Sequence, residues 1–228
     1  MLEPRSQDVS GMLHEAGADA WARATGHPMV REIAAGSLPH ETFRRYFEQN
    51  VLYLEDYARS ISLIASKAPD RRALSTLSRF LGQIVEHEIP ANLSFLERLG
   101  GDPAALGGVA SLAPAAYDYT RHLLATCAQG DVVEGLTAVL PCQWSYGELA
   151  QPLMESTPQD PIYADWIRMF GNDAYGALVE ETTALLDRLA DPHDKARMAT
   201  LFPIFERSTR YEVAFWDLAY HGPDTAHP

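Results

Sequence analysis

The amino-acid sequence predicts an all-α protein: a single-domain bundle of several bent helices. Three observations carry that expectation. Apolar residues recur at helical spacing along nearly the whole chain. No stretch alternates apolar and polar residues as a half-buried strand does. Proline and glycine cluster between the periodic stretches, where helices end.

The elements follow in order. A first helix is expected from Asp8 to Ala24, after which His27-Pro28 and Gly36-Ser37-Leu38-Pro39 punctuate a short connection. A long helix follows from His40 to Lys67, closed by Ala68-Pro69. The next spans Asp70 to Leu99, with Pro90 as a kink and Gly100-Gly101 as its end. Asp102 to Ala113, rich in Gly, Pro and Ala, reads as a loop. Further helices cover Pro114–Ala128, Val132–Met154, Pro161–Phe170, Asp173–Leu189 and His193–Tyr220, the last bent at Pro203. There is no internal repeat and no low-complexity segment.

With 228 residues the chain is long enough for one substantial core, and length slightly favours one domain over two. A formal net charge of -13 leaves no basic surface to displace counterions from nucleic acid or to hold an anionic membrane. No apolar run is long enough to span a bilayer, and the polar start, Met1 to Asp8, is unlike a signal peptide. Two cysteines, Cys127 and Cys142, do not make a disulfide scaffold, so a reducing cytoplasm is expected.

Cys142 is the most informative residue. It follows Pro141 inside a helix, where the missing amide leaves the carbonyl of Thr137 without its usual partner. Tyr146 lies one turn further along the same face. Such a bend presents a thiol and a phenol to one side, as the wall of a reactive pocket would. The alternative is a small buried hydrophobe, the ordinary state of a free cysteine.

Three other faces carry polar groups. Tyr46, Asn50, Tyr53 and Tyr57 share one side of the long second helix, either as core or as a pocket wall, and their phenols and amide need partners. Glu212 sits three and four residues before Phe215 and Trp216. A carboxyl in that apolar setting holds its proton and suits a general acid, unless Arg210 or another helix pairs with it. Asp118 and His122, four apart, have metal-ligand spacing but read more simply as an ion pair or cap, and Glu86-His87-Glu88 lacks a convincing partner set, with Asn92 at the position where a His would be wanted. No metal is expected. A helical di-iron oxidase would rest on Asp118 and His122 alone.

The ordered set of motifs resembles the TenA family, also called thiaminase II or aminopyrimidine aminohydrolase. The motifs are His27-Pro28 with Gly36-Ser37-Leu38-Pro39, Tyr46-x-x-Gln49-Asn50-x-x-Tyr53-Leu54, Ala116-Tyr117-x-Tyr119-Thr120, and Leu140-Pro141-Cys142-x-Trp144-x-Tyr146. Asp160-Pro161-Ile162-Tyr163 with Trp166-Ile167, and Tyr211-Glu212-x-x-Phe215-Trp216-x-x-Ala219-Tyr220, complete it. The resemblance implies a heme-oxygenase-like bundle without heme, a homotetramer, no cofactor, and hydrolysis of an aminomethylpyrimidine or of thiamin. It makes Cys142 the nucleophile at ring carbon C6 and Glu212 the acid/base, with Tyr53, Tyr119 and Tyr146 shaping the pocket.

The chain departs from that pattern in three places. Asn50 stands where the family has an aspartate reading the aminopyrimidine edge, Phe170 where it often has a tyrosine, and Gly147 where a further aromatic flanks Tyr146. An amide can donate and accept on that edge, but the lost charge implies turnover slower by ~10- to 1000-fold if ~1.5–4 kcal/mol is missing. It equally admits a retuned pocket, or a protein that holds a pyrimidine-like ligand without turning it over. Gly147 implies a larger corner beside Tyr146.

Overall fold

A computed structural model describes residues 7–222. Among them there is no strand, and eleven α-helices carry the fold: α1 Val9–Ala16, α2 Ala18–Thr25, α3 Pro28–Ala35, α4 His40–Ala65, α5 Arg71–Gly82, α6 Ile89–Arg98, α7 Pro114–Gln129, α8 Val132–Ala150, α9 Pro161–Gly171, α10 Asp173–Leu189 and α11 Lys195–His221. No helix among the described residues is long and apolar enough to cross a membrane.

Helix starts follow local chemistry. Asp131 begins α8 with a reciprocal cap, taking hydrogen bonds from the amides of Val133 and Glu134 while Glu134 reaches back to its own amide. Asp70, Asp160, Asn172 and Asp194 cap α5, α9, α10 and α11 with their side chains. Prolines open α3, α7 and α9, where a missing amide costs nothing.

Every residue of α8 except Glu134 and Glu148 is buried, and a helix apolar on all sides belongs at the centre of a bundle. Around it pack α4, α7, α9, α10 and α11, while α4 also meets α5, α6, α7 and α11. At Gly135 an added Cβ would collide with Ile64 of α4, so this glycine lets the two helices close together.

Four expectations are corrected. The first helix is two, α1 and α2, turned at Gly17, where the Phe205 ring lies 3.2 Å from the place of a Cβ. The connection after Thr25 contains α3, capped by His27 and ended by Gly36 at φ 67. The Asp70–Leu99 helix contains a π-helical stretch, Gln83–Glu88, directly before Pro90; the proline's missing amide displaces the hydrogen-bond register there. The helix after Asp131 ends at Ala150, and Pro152–Glu155 continue as a 3₁₀ turn.

Candidate active site

The bend at Pro141 sets the site. α8 runs through it unbroken, and the Tyr57 hydroxyl of α4 donates to the carbonyl of Val139 at 2.8 Å, tying α4 to the bent turn. Cys142 follows, enclosed by helices yet 9% exposed, so a water-sized probe still reaches it.

From α11, the buried Glu212 carboxyl faces the same interior as the Cys142 thiol, and its charge bears on the thiol's ionisation. From α7, the Tyr119 hydroxyl donates to Glu212 Oε1 at 2.6 Å. The alternative pairing of Glu212 with Arg210 does not occur, since Arg210 binds Glu206. The Tyr53 ring lies 5.1 Å from that of Tyr119, and its buried hydroxyl meets no hydrogen-bond partner.

A second cluster adjoins. The Tyr46 hydroxyl donates to that of Tyr146 at 3.0 Å, and Trp216 stacks on both rings. Phe170 packs edge-on against Tyr146 at 4.8 Å and takes no polar part. Gly147 does not open a larger corner, because Val179 and Tyr175 of α10 fill the space 3.3 and 3.6 Å from the place of its Cβ.

Asn50 is buried and pairs with Asn92. Asn92 donates through Nδ2 to the Glu88 carbonyl at 2.8 Å, which turns its Oδ1 toward Asn50. Asn50 Nδ2 must then donate to that oxygen, at 2.8 Å. That bond takes one of the two amide N–H groups, so Asn50 keeps one N–H and its Oδ1 for other partners.

The electrostatics follow from burial. Glu212 is pushed up to about 7 by desolvation, partly offset by the hydrogen bonds from Tyr119 and Cys142. Burial, with the nearby charges of Glu212 and Glu88, raises Cys142 well above the ordinary thiol value. The resting sulfur is a thiol rather than a thiolate, and it needs a proton acceptor as it attacks. Glu212, buried in the same interior and pushed up to about 7, suits a group that takes and returns a proton.

Glu88 is the residue sequence reasoning weighed only as a metal ligand. It ends the π-helical stretch, is buried, and its Oε2 has no hydrogen-bond partner. Burial and the charge of Glu212 push it up to about 8. Proline two residues after a carboxylate was the one available signal, since π-bulges gather at functional sites. Elsewhere, His122 hydrogen-bonds Ser208 at 2.9 Å rather than Asp118. Among the described residues no three His, Cys, Asp or Glu side chains form a group that could hold a metal.

A buried thiol, carboxyl and phenols inside an all-helical bundle define a class: a heme-oxygenase-like fold with an enclosed polar site. A Shewanella denitrificans domain described as having that fold superposes with a TM-score of 0.72 at 17% identity, over 92% of this chain and 91% of that one. The chain itself belongs to the TENA/THI-4/PQQC family, whose model matches residues 14–222. It is 31% identical over 211 residues to the aminopyrimidine aminohydrolase of Halalkalibacterium halodurans, covering 92% of this chain and 94% of that protein. It is 32% identical over 205 residues to the aminopyrimidine aminohydrolase of Bacillus subtilis, covering 90% and 86%. The crystal structure of a TenA family transcription regulator from Silicibacter sp. matches with a TM-score of 0.88 at 26% identity, over 96% of this chain and 99% of that one.

Proposed function

We propose that this chain is an aminopyrimidine aminohydrolase of the thiamin-salvage type, with Cys142 as nucleophile and Glu212 as acid/base. The observation that carries the reading is the buried Glu212 carboxyl, oriented by the Tyr119 hydroxyl and sharing an interior with the Cys142 thiol, in a chain whose relatives bear that name.

The steps follow from the resting protonation. As sulfur bonds to ring carbon C6, Glu212 takes the thiol proton and delivers it to the ring nitrogen that receives the displaced electron pair. The pair then returns through the ring and breaks the bond to the exocyclic aminomethyl nitrogen, which, protonated in the substrate as an ammonium, leaves as ammonia. Water adds to that methylene, the C–S bond breaks, and sulfur recovers its proton as the ring becomes aromatic again. In this reading Tyr53, Tyr119 and Tyr146 supply aromatic surface for a flat ring, with Phe170 packed against Tyr146.

The test is a panel of aminomethylpyrimidines and thiamin, read by mass spectrometry, with wild type and Cys142→Ala side by side. Hydroxymethylpyrimidine formed by wild type alone supports the mechanism; equal turnover by both proteins ends it. The protonated resting thiol favours a second reading, a binding protein that turns nothing over. Thermal stabilisation by aminopyrimidines without product selects it.

The same reading includes one domain and a cytoplasmic homotetramer, with a pyrimidine as the small-molecule partner. Light scattering that gives any mass other than four copies removes the tetramer.

A further inference from the structure

Resting on the aminopyrimidine reading, we propose that Asn92 is a positioning residue that sets specificity. By holding Asn50 Nδ2, it fixes which way round the Asn50 amide faces the substrate. The pocket then accepts a pyrimidine edge with an acceptor nitrogen beside an amino group, and rejects the reversed edge of a 4-oxopyrimidine.

Three observations lead there. The first is where Asn50 stands. It shares a face of α4 with Tyr46, four residues before it, and Tyr53, three after it. The Tyr46 hydroxyl donates to that of Tyr146 at 3.0 Å, and Tyr146 lies one turn from Cys142 along α8. The Tyr53 ring lies 5.1 Å from that of Tyr119, whose hydroxyl donates to Glu212 at 2.6 Å. Asn50 is therefore bracketed on α4 by one phenol tied to the Cys142 helix and another beside the partner of Glu212.

The second is what Asn50 leaves open. It is 4% exposed, yet its side chain makes no hydrogen bond among the described residues besides the one to Asn92. Oδ1 and one N–H remain, an acceptor next to a donor, which complements an aminopyrimidine edge. Buried polar groups are nearly always paired in folded proteins, so these two call for an occupant.

The third is the anchor. A carboxamide keeps nearly the same shape with oxygen and nitrogen exchanged, so Asn50 alone can present either order. Asn92 removes the choice. It is fully buried, and its Nδ2 donates to the Glu88 carbonyl, which can only accept; that leaves Asn92 Oδ1 facing Asn50. Turning the Asn50 amide over would set oxygen against oxygen across this contact, and an unmade hydrogen bond is costly in a buried place.

The experiment measures binding by calorimetry in the full chain carrying Cys142→Ala, which separates affinity from turnover. The ligands are 4-amino-5-aminomethyl-2-methylpyrimidine and 5-aminomethyl-2-methylpyrimidin-4(3H)-one, whose ring N–H and carbonyl reverse the edge. With Asn92 in place the amino ligand should bind about 100-fold more tightly or better, since the oxo ligand leaves buried groups unpaired. Asn92→Leu, close in volume and without side-chain polar atoms, should cut that preference to about fivefold or less, because the freed amide turns to suit either ligand. Asn92→Asp should bring it back to within about threefold of the starting value, since its carboxyl still accepts from Asn50 Nδ2. In a chain that also carries Asn50→Ala, Asn92→Leu should change the preference by less than about twofold, because Asn92 acts through Asn50.

A purely structural role would weaken both ligands alike and leave their ratio unchanged. The proposal is overturned by an unchanged ratio in Asn92→Leu, by an equal change with and without Asn50, by an Asn92→Asp as unselective as Asn92→Leu, or by a starting protein that binds both ligands alike. Should Asn92→Leu fail to fold by circular dichroism, Asn92→Ala takes its place under the same criteria. If the amino ligand binds and its preference is indifferent to Asn92, only the role of Asn92 falls. If the protein with Cys142 intact neither binds nor hydrolyses that pyrimidine, the aminopyrimidine reading falls and takes that role with it.

Discussion

The two cysteines occupy two buried regions that differ in one respect. Cys127 lies in α7 where the chain turns into α8. Lys67 Nζ caps that turn with hydrogen bonds of 2.7 Å to the carbonyls of Cys127, Ala128 and Gly130, and Gly135 lies against the sulfur. Burial pushes Cys127 up to about 12, against a small opposing pull from Lys67. Cys142 is also driven upward by burial, but the charge of a nearby carboxyl, Glu212, which is itself pushed up to about 7, bears on it. Burial alone therefore does not mark a reactive thiol. What separates the regions is a proton acceptor within reach and space for a probe, since Cys127 is 0% exposed against 9% for Cys142.

The sharpest way to break this comparison is to remove each sulfur in turn. Cys142→Ala should lower aminopyrimidine hydrolysis by about 10⁴-fold or more, while Cys127→Ala stays within about threefold. Comparable losses in steady-state assays would erase the distinction.

A second change tests the packed region alone. Gly135→Ala forces a methyl against Ile64 and should cost about 1–3 kcal/mol of stability in denaturant titrations, leaving kcat of the folded fraction unaltered. A stability equal to wild type would mean the α4–α8 approach is loose.

Third, Tyr119→Phe removes a hydrogen bond that holds Glu212 down. The ionisation that governs activity near pH 7 should move to higher pH, with activity at neutral pH falling about tenfold. A profile that stays in place would separate Glu212 from the rate-governing proton.

The smallest effect is on stability with pH. Below about 4.5 Glu88 is protonated folded and unfolded; above it the unfolded chain releases the proton while the folded one keeps it until about 8. The unfolded state then binds fewer protons, so stability falls as pH rises, by at most about 1.4 kcal/mol per pH unit from this group. Glu88→Gln abolishes that slope. Its melting temperature relative to wild type should climb between pH 5 and 8, as read by differential scanning calorimetry over the window its shift defines. A constant difference would remove Glu88 from the buried set.

Helical periodicity, Asp and Asn caps, and proline punctuation were enough to identify the all-α class and the bounds of α4, α7, α9 and α10 to within a residue or two. The identity of Cys142, Glu212, Tyr119 and Tyr53 as candidates was also there to read, because the residue types and their order carry chemistry. The breaks at Gly17 and the π-helical stretch were not, since both depend on what packs beside them: the Phe205 ring in one case, and hydrogen-bond register before Pro90 in the other.

Tertiary structure alone decided which partners those groups meet. Asn50 offers two amide donors, and Asn92 accepts from one of them; Gly147 could leave room, yet α10 fills it; Glu88 could be a surface carboxylate, yet it is buried and its Oε2 meets no partner. The reason is that spacing along a chain sets which face a side chain shares, whereas desolvation and hydrogen-bond satisfaction depend on neighbours brought together from distant helices.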